Sequence, residues 1–139
     1  MPVNRLEALA DAIMAFEGWH PGDRPYRNRN PGDMRFSRLE SGQDPGGYAV
    51  FESFTAGYTA LLNDLHCKCA GHTVTGLQPT SLLQDLINVW APSSDHNDPH
   101  RYVNFVARFV STALGLEVTP STDLDWFLNY EGGEPTPSS

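Results

Sequence analysis

Near the N-terminus, Leu6, Leu9, Ala10 and Ile13 recur at helical spacing, and Asn4, Glu7 and Asp11 fall on the opposite side. This spacing predicts an amphipathic helix from about Val3 to Phe16 or Glu17, capped by Gly18 and stopped by Pro21. From His20 to Gly47 the periodicity disappears into a stretch rich in Pro and Gly, which reads as loop with one short strand around Met34 to Phe36. "GYAVFESF", Gly47 to Phe54, alternates and is β-prone, so it predicts the second arm of a small hairpin.

A second helix is expected from Thr55 to Cys69, with Tyr58, Leu61, Leu62, Leu65 and Cys69 on its apolar face and Gly71 at its end. A third is expected from Thr80, where Ser81 and Gln84 have capping-box spacing, and Pro92 stops it after Leu82, Leu83, Leu86, Ile87 and Trp90. Asp98 and Pro99 mark the start of a fourth, with Gly115 at its end. Its apolar residues, Tyr102, Val103, Phe105, Val106, Phe109, Val110, Ala113 and Leu114, lie nearly all round, which predicts a buried central helix. A short packing helix fits Asp123 to Tyr130, and "GGEPTPSS" reads as a disordered tail. The expected architecture is mainly α (α+β): about four to five helices with a small β-hairpin insertion, in one domain over residues 1–130, with 131–139 as tail.

At 139 residues the chain is long enough to bury a core without disulfides or metal. The net charge of −8 argues against general nucleic-acid binding. It hides an asymmetry, because Arg24, Arg27, Arg29, Arg35 and Arg38 crowd into one segment. Cys67 and Cys69, two apart on a helix, point to different sides and read as free thiols of a reducing compartment. His66 and His72 add too few ligands for a metal site. "DHNDPHRY" holds Asp95, His96, Asp98 and His100, but its Asp-Pro pair is explained as a helix start. No metal and no cofactor are expected. No apolar run reaches transmembrane length, and no secretory signal pattern opens the chain. The expectation is synthesis in the cytoplasm, no membrane association, and a monomer in isolation.

One carboxylate stands apart. On a helical wheel Glu17 shares the side of Leu6 and Ile13, whereas Glu7 and Asp11 point away to water. Burial and the negative end of the helix dipole both raise a carboxyl pKa there, which suits a general acid. The competing reading is a solvated helix end, and an arginine of the next loop, Arg27 or Arg29, would neutralise the acid. In "RNRNPGDMRF", Asn28 and Asn30 offer donors and acceptors suited to hydroxyl and N-acetyl groups, and Arg27 suits a carboxylate. Trp19 and Trp90 are candidates for stacking on sugar faces, and core positions suit them equally.

The order helix–Glu–Gly–aromatic, then "RNRNPGDMRF", then "YAVFESFTAGYTAL", then "LINVWAPSSDHNDPHRYVNFVARFV", resembles the lysozyme-like domains of phage and prophage virion proteins, related to lytic transglycosylases and muramidases. The resemblance spans roughly residues 5–128. It implies a lysozyme-like fold, with peptidoglycan glycan strands and other virion or phage-tail proteins as partners. It implies action at the cell wall or as part of a virion, on the β-1,4 bond between N-acetylmuramic acid and N-acetylglucosamine. Glu17 matches the catalytic acid of such domains. Asn28, Asn30, Pro31 and Gly32 match the loop beside the cleft, Phe51 and Ser53 the strand leading into the second helix, and Tyr102 a tyrosine near the acid. Arg29 and Asp33 stand where such domains have Asn, and Asp33 is a candidate second carboxylate, with Glu40, Asp44 and Glu52. A catalytically inactive virion or glycan-binding module of the same fold is the competing class.

Overall fold

The computed structural model describes residues 4–91 and 98–128. The expected stop at Pro92, Asp95 and His96 of the acidic loop, Tyr130 and the tail lie outside them. The chain forms α1 (Arg5–Glu17), α2 (Arg24–Arg27), β1 (Gly42–Gln43), β2 (Ala49–Val50), α3 (Phe54–Ala70), α4 (Leu83–Trp90) and α5 (Pro99–Leu114), then a 3₁₀ turn over Leu124–Leu128. It is mainly helical, with one antiparallel two-stranded sheet that pairs Gly42 with Val50 and Gln43 with Ala49.

The helix starts follow from local chemistry. Asn4 caps α1 by accepting from Glu7 N at 2.7 Å, and Glu7 returns the bond to Asn4 N at 3.2 Å. Those two residues therefore form a capping box rather than a merely solvated face. Ser53 accepts from Ala56 N to start α3, and Asp98 accepts from Arg101 N to start α5. Gly18, Gly71 and Gly115 end α1, α3 and α5 in the left-handed conformation.

The third helix begins later than its spacing predicts. Ser81 Oγ accepts from Gln78 N instead of capping, and the Asp85 carboxylate accepts from Leu82 N at 2.8 Å. Leu82 lies extended against Asp123, so tertiary pairing with the C-terminal segment takes the first turn that Thr80 and Ser81 would have formed.

The main core joins α1, α3, α4 and α5 through Leu9, Ile13, Leu61, Leu65, Leu83, Leu86, Ile87, Tyr102, Val106 and Val110. Burying each of the larger aliphatic side chains is worth about 1.5–3 kcal/mol. A smaller cluster of Met34, Ala49, Phe51 and Ala60 sits beneath the hairpin, and Trp90 packs on both clusters. Helix α5 is buried on one side only: Arg101 and Arg108 are exposed, and Phe105 and Phe109 are half-buried. Cys67 is exposed and Cys69 buried, so the two thiols do point apart.

The long loop holds a surprise at each end. Residues 24–27, expected as loop, turn into α2, with Pro25 in its first turn. The strand expected at Met34 to Phe36 is absent. Met34 O accepts one bond from Ala49 N at 3.0 Å, but Phe36 is exposed and the partner of the Ala49 strand is Gly42–Gln43. Helix α3 crosses the loop at Gly57, where a Cβ would lie 1.9 Å from Arg29 O. That close approach fixes residues 28–32 against the body of the domain.

Candidate active site

Glu17 closes α1, and Gly18 (φ 94°) turns the chain away immediately after it. The carboxyl is largely buried, and Glu17 Oε2 accepts a hydrogen bond of 2.8 Å from the Tyr102 hydroxyl. Burial pushes its pKa from 4.5 up to about 7; the Tyr102 bond opposes this, the negative charge of Asp33 adds to it, and Arg24 weakly opposes it. Desolvation wins because one neutral donor replaces only part of the hydration a carboxylate needs. Such a carboxyl exchanges a proton near neutral pH.

Tyr102 is itself fixed. Its ring is buried and stacks on Phe16 with centroids 3.9 Å apart, and Phe105 tilts onto Phe16 from the next turn of α5. Burial and the adjacent Glu17 hold the Tyr102 phenol well above its ordinary pKa. Tyr102 thus links the core to the Glu17 carboxyl at the end of α1.

Asp33, the candidate second carboxylate, is held by Arg24. Nε reaches Oδ1 at 2.9 Å and Nη2 reaches Oδ2 at 2.6 Å. Arg24 also lies over the Tyr48 ring at 3.6 Å. The arginine near the acid is therefore Arg24, not Arg27 or Arg29. Arg27 donates to Gly22 O and Arg29 to Phe51 O. Among the described residues, Asp33 and Arg29 are the two non-glycine residues with positive φ, at 50° and 52°. Asn and Asp tolerate that region best, so Asp33 suits its backbone.

The other loop residues are built into the scaffold. Asn30 is fully buried: its amide donates to Met34 O (2.8 Å) and Ala49 O (2.9 Å), and its oxygen accepts from Met34 N (3.0 Å). Those bonds use both of its amide hydrogens, so its placement is that of a loop anchor rather than an open sugar ligand. Asn28 is nearly as buried and donates to Asp44 Oδ2 at 2.9 Å. That bond and the Tyr48 N–H hold the Asp44 pKa below its usual range. Phe51 is wholly buried in the small core. Asp11 differs from its expected solvated setting: Tyr58 donates to its Oδ1 at 2.7 Å, and partial burial raises its pKa.

A row of rings starts two residues after Glu17. Trp19 contacts Tyr26 and Phe54 at 5.1 and 5.2 Å between centroids, and Phe54 contacts Tyr58 at 5.5 Å. Tyr26 is 42% and Phe54 41% exposed, which leaves ring surface open to a ligand. Neither residue stood out in the sequence, because the short helix α2 and the first turn of α3 bring them to Trp19. Among the described residues no group of three or more His, Cys, Asp or Glu is placed to hold a metal ion. None of their helices is long and apolar enough to cross a membrane. Compared with protein-family models, curated proteins and solved structures, the chain matches none.

Proposed function

We propose that this lysozyme-like domain cleaves the β-1,4 bond between N-acetylmuramic acid and N-acetylglucosamine in peptidoglycan, with Glu17 as general acid and then general base. The observation that carries the reading is the buried Glu17 carboxyl, held by Tyr102 at 2.8 Å with its pKa pushed up to about 7. A carboxyl in that state holds a proton for a leaving oxygen at neutral pH. The open rings of Tyr26 and Phe54 beside Trp19 support a sugar ligand, since pyranose faces stack on aromatic rings. The sequence resemblance supplies the substrate class.

The one-acid route suits the site better than hydrolysis by two carboxylates. Asp33 is gripped at both oxygens by Arg24, which engages the oxygens that a nucleophile or a water-positioning carboxylate would use. In the one-acid route Glu17 gives its proton to the leaving O4 as the C1–O4 bond breaks. The Glu17 carboxylate then takes the proton of the muramyl C6 hydroxyl while O6 bonds to C1. The product ends in a 1,6-anhydro sugar, and Glu17 leaves the cycle protonated, as it entered. No water is consumed.

The test is digestion of purified peptidoglycan followed by mass spectrometry of the released fragments. Anhydro-muramyl ends are expected. Reducing ends would replace the one-acid route by hydrolysis. No release anywhere between about pH 5 and pH 8 would leave the inactive glycan-binding module as the better reading.

A further inference from the structure

The outer face of α5 carries a second feature that the acid site does not use. Arg101, Asn104, Phe105 and Arg108 lie at helical spacing and, with Ala15 and Phe16 of α1, line an open groove of about 730 Å³. Both arginines are exposed. Among the described residues neither guanidinium has a carboxylate partner, although the chain carries 17 acidic residues against nine basic ones. The Arg101 guanidinium lies over the Phe16 ring, 5.9 Å from its centroid. Two exposed arginines without a carboxylate partner among the described residues, over a partly aromatic floor in an acidic protein, form a local anion site.

The geometry narrows the ligand. Arg101 and Arg108 are seven residues apart on one helix, so about 10 Å separates them along the axis. One carboxylate does not span that distance, but a short peptide with two carboxylates does. Asn104 lies between them; its amide donates to His100 O, which leaves its oxygen as an acceptor for a peptide N–H. Phe16 ties the groove to the acid, because it precedes Glu17 in the chain and stacks on Tyr102.

We propose that this groove binds the peptide stem of peptidoglycan through its carboxylates, with Arg101 and Arg108 as the two anion contacts. The inference rests on the peptidoglycan reading of Glu17 but makes a separate claim, about binding alone. Each guanidinium would hold one carboxylate, and the stem would lie along α5 with its apolar atoms on Phe105 and Phe16. Arginine rather than lysine fits because the planar fork binds a carboxylate at two points.

Calorimetric titration of the full chain tests it without turnover. The probe is the synthetic stem tripeptide L-alanyl-γ-D-glutamyl-L-lysine, compared with the same peptide amidated at both carboxylates. The free-acid peptide is expected to bind at least about tenfold more tightly than the amidated one. Arg101→Gln and Arg108→Gln should each remove most of that difference, with unchanged circular dichroism. Equal binding of both peptides would overturn the proposal, as would full retention in the double variant. Equal binding of an unrelated acidic L-peptide would overturn it in favour of an acidic protein partner. Stem binding without peptidoglycan cleavage would leave the groove standing and sink the Glu17 reading. Cleavage without stem binding would do the reverse.

Discussion

The Tyr102 hydroxyl donates to Glu17 Oε2 at 2.8 Å, joining residues 85 positions apart in sequence. This bond favours the charged carboxylate, while burial favours the neutral acid more strongly. Tyr102→Phe keeps the ring on Phe16 and removes the bond. The Glu17 pKa should then rise further above about 7, and the alkaline limb of the cleavage rate should move to higher pH. A ¹³C titration of the Glu17 carboxyl checks the first effect and a pH–rate profile the second. An unmoved pKa would mean that the bond contributes nothing to tuning the acid. The stability cost should be about 1 kcal/mol, since one largely buried hydrogen bond is lost.

Glu17 also links stability to pH. Its folded pKa of about 7 exceeds the ordinary 4.5, so between those values the folded state holds a proton that the unfolded chain has lost. The contribution of Glu17 to stability is complete below about pH 4.5 and is lost as pH rises through about 7. Glu17→Gln, neutral at every pH, should match wild type at low pH and exceed it at about pH 8, by on the order of 1–3 kcal/mol. Denaturant unfolding at the two pH values measures this. A variant less stable than wild type at the higher pH would contradict the buried-acid description.

Asn30 separates a scaffold role from a substrate role. Asn30→Ala removes three buried side-chain hydrogen bonds, taking the acceptor from the Met34 N–H and a donor from each of the Met34 and Ala49 carbonyls. The expected loss is about 2–4 kcal/mol of stability, seen as a lower Tm with no ligand present. A sugar ligand that merely faced a cleft would cost little stability and raise KM instead.

Gly57 gives a packing prediction. In an exposed helix interior, Gly→Ala gains about 1 kcal/mol from helix propensity. Here the new methyl would meet backbone, Arg29 O at 1.9 Å, with Pro31 Cδ at 3.0 Å. Gly57→Ala should therefore destabilise by at least about 2 kcal/mol, or push residues 29–31 off α3 and lower activity. Thermal unfolding of the variant decides between a gain and a loss.

The helices were legible because their signals are local. Asp98 followed by Pro99, Gly18, Gly71 and Gly115 all stand where caps were expected, and helical spacing put Glu17 on the inner side of α1. What the sequence hid depends on partners far along the chain. Arg24 binds Asp33 because α2 forms where only a loop was legible, so the arginine nearest the acid was misassigned. Asn28 and Asn30 looked like open ligands because a polar side chain does not reveal whether its partner is a sugar or a backbone carbonyl. The apolar count on α5 suggested burial all round, but Phe105 lines an open groove between two arginines.

The most direct test of the central claim compares wild type and Glu17→Gln on the same purified peptidoglycan at about pH 6, by release of soluble muropeptides. Removing a general acid costs about 10²–10⁴ in rate, so the variant should fall at least about a hundredfold below wild type while remaining folded. A Glu17→Gln protein that releases muropeptides as fast as wild type would contradict the account.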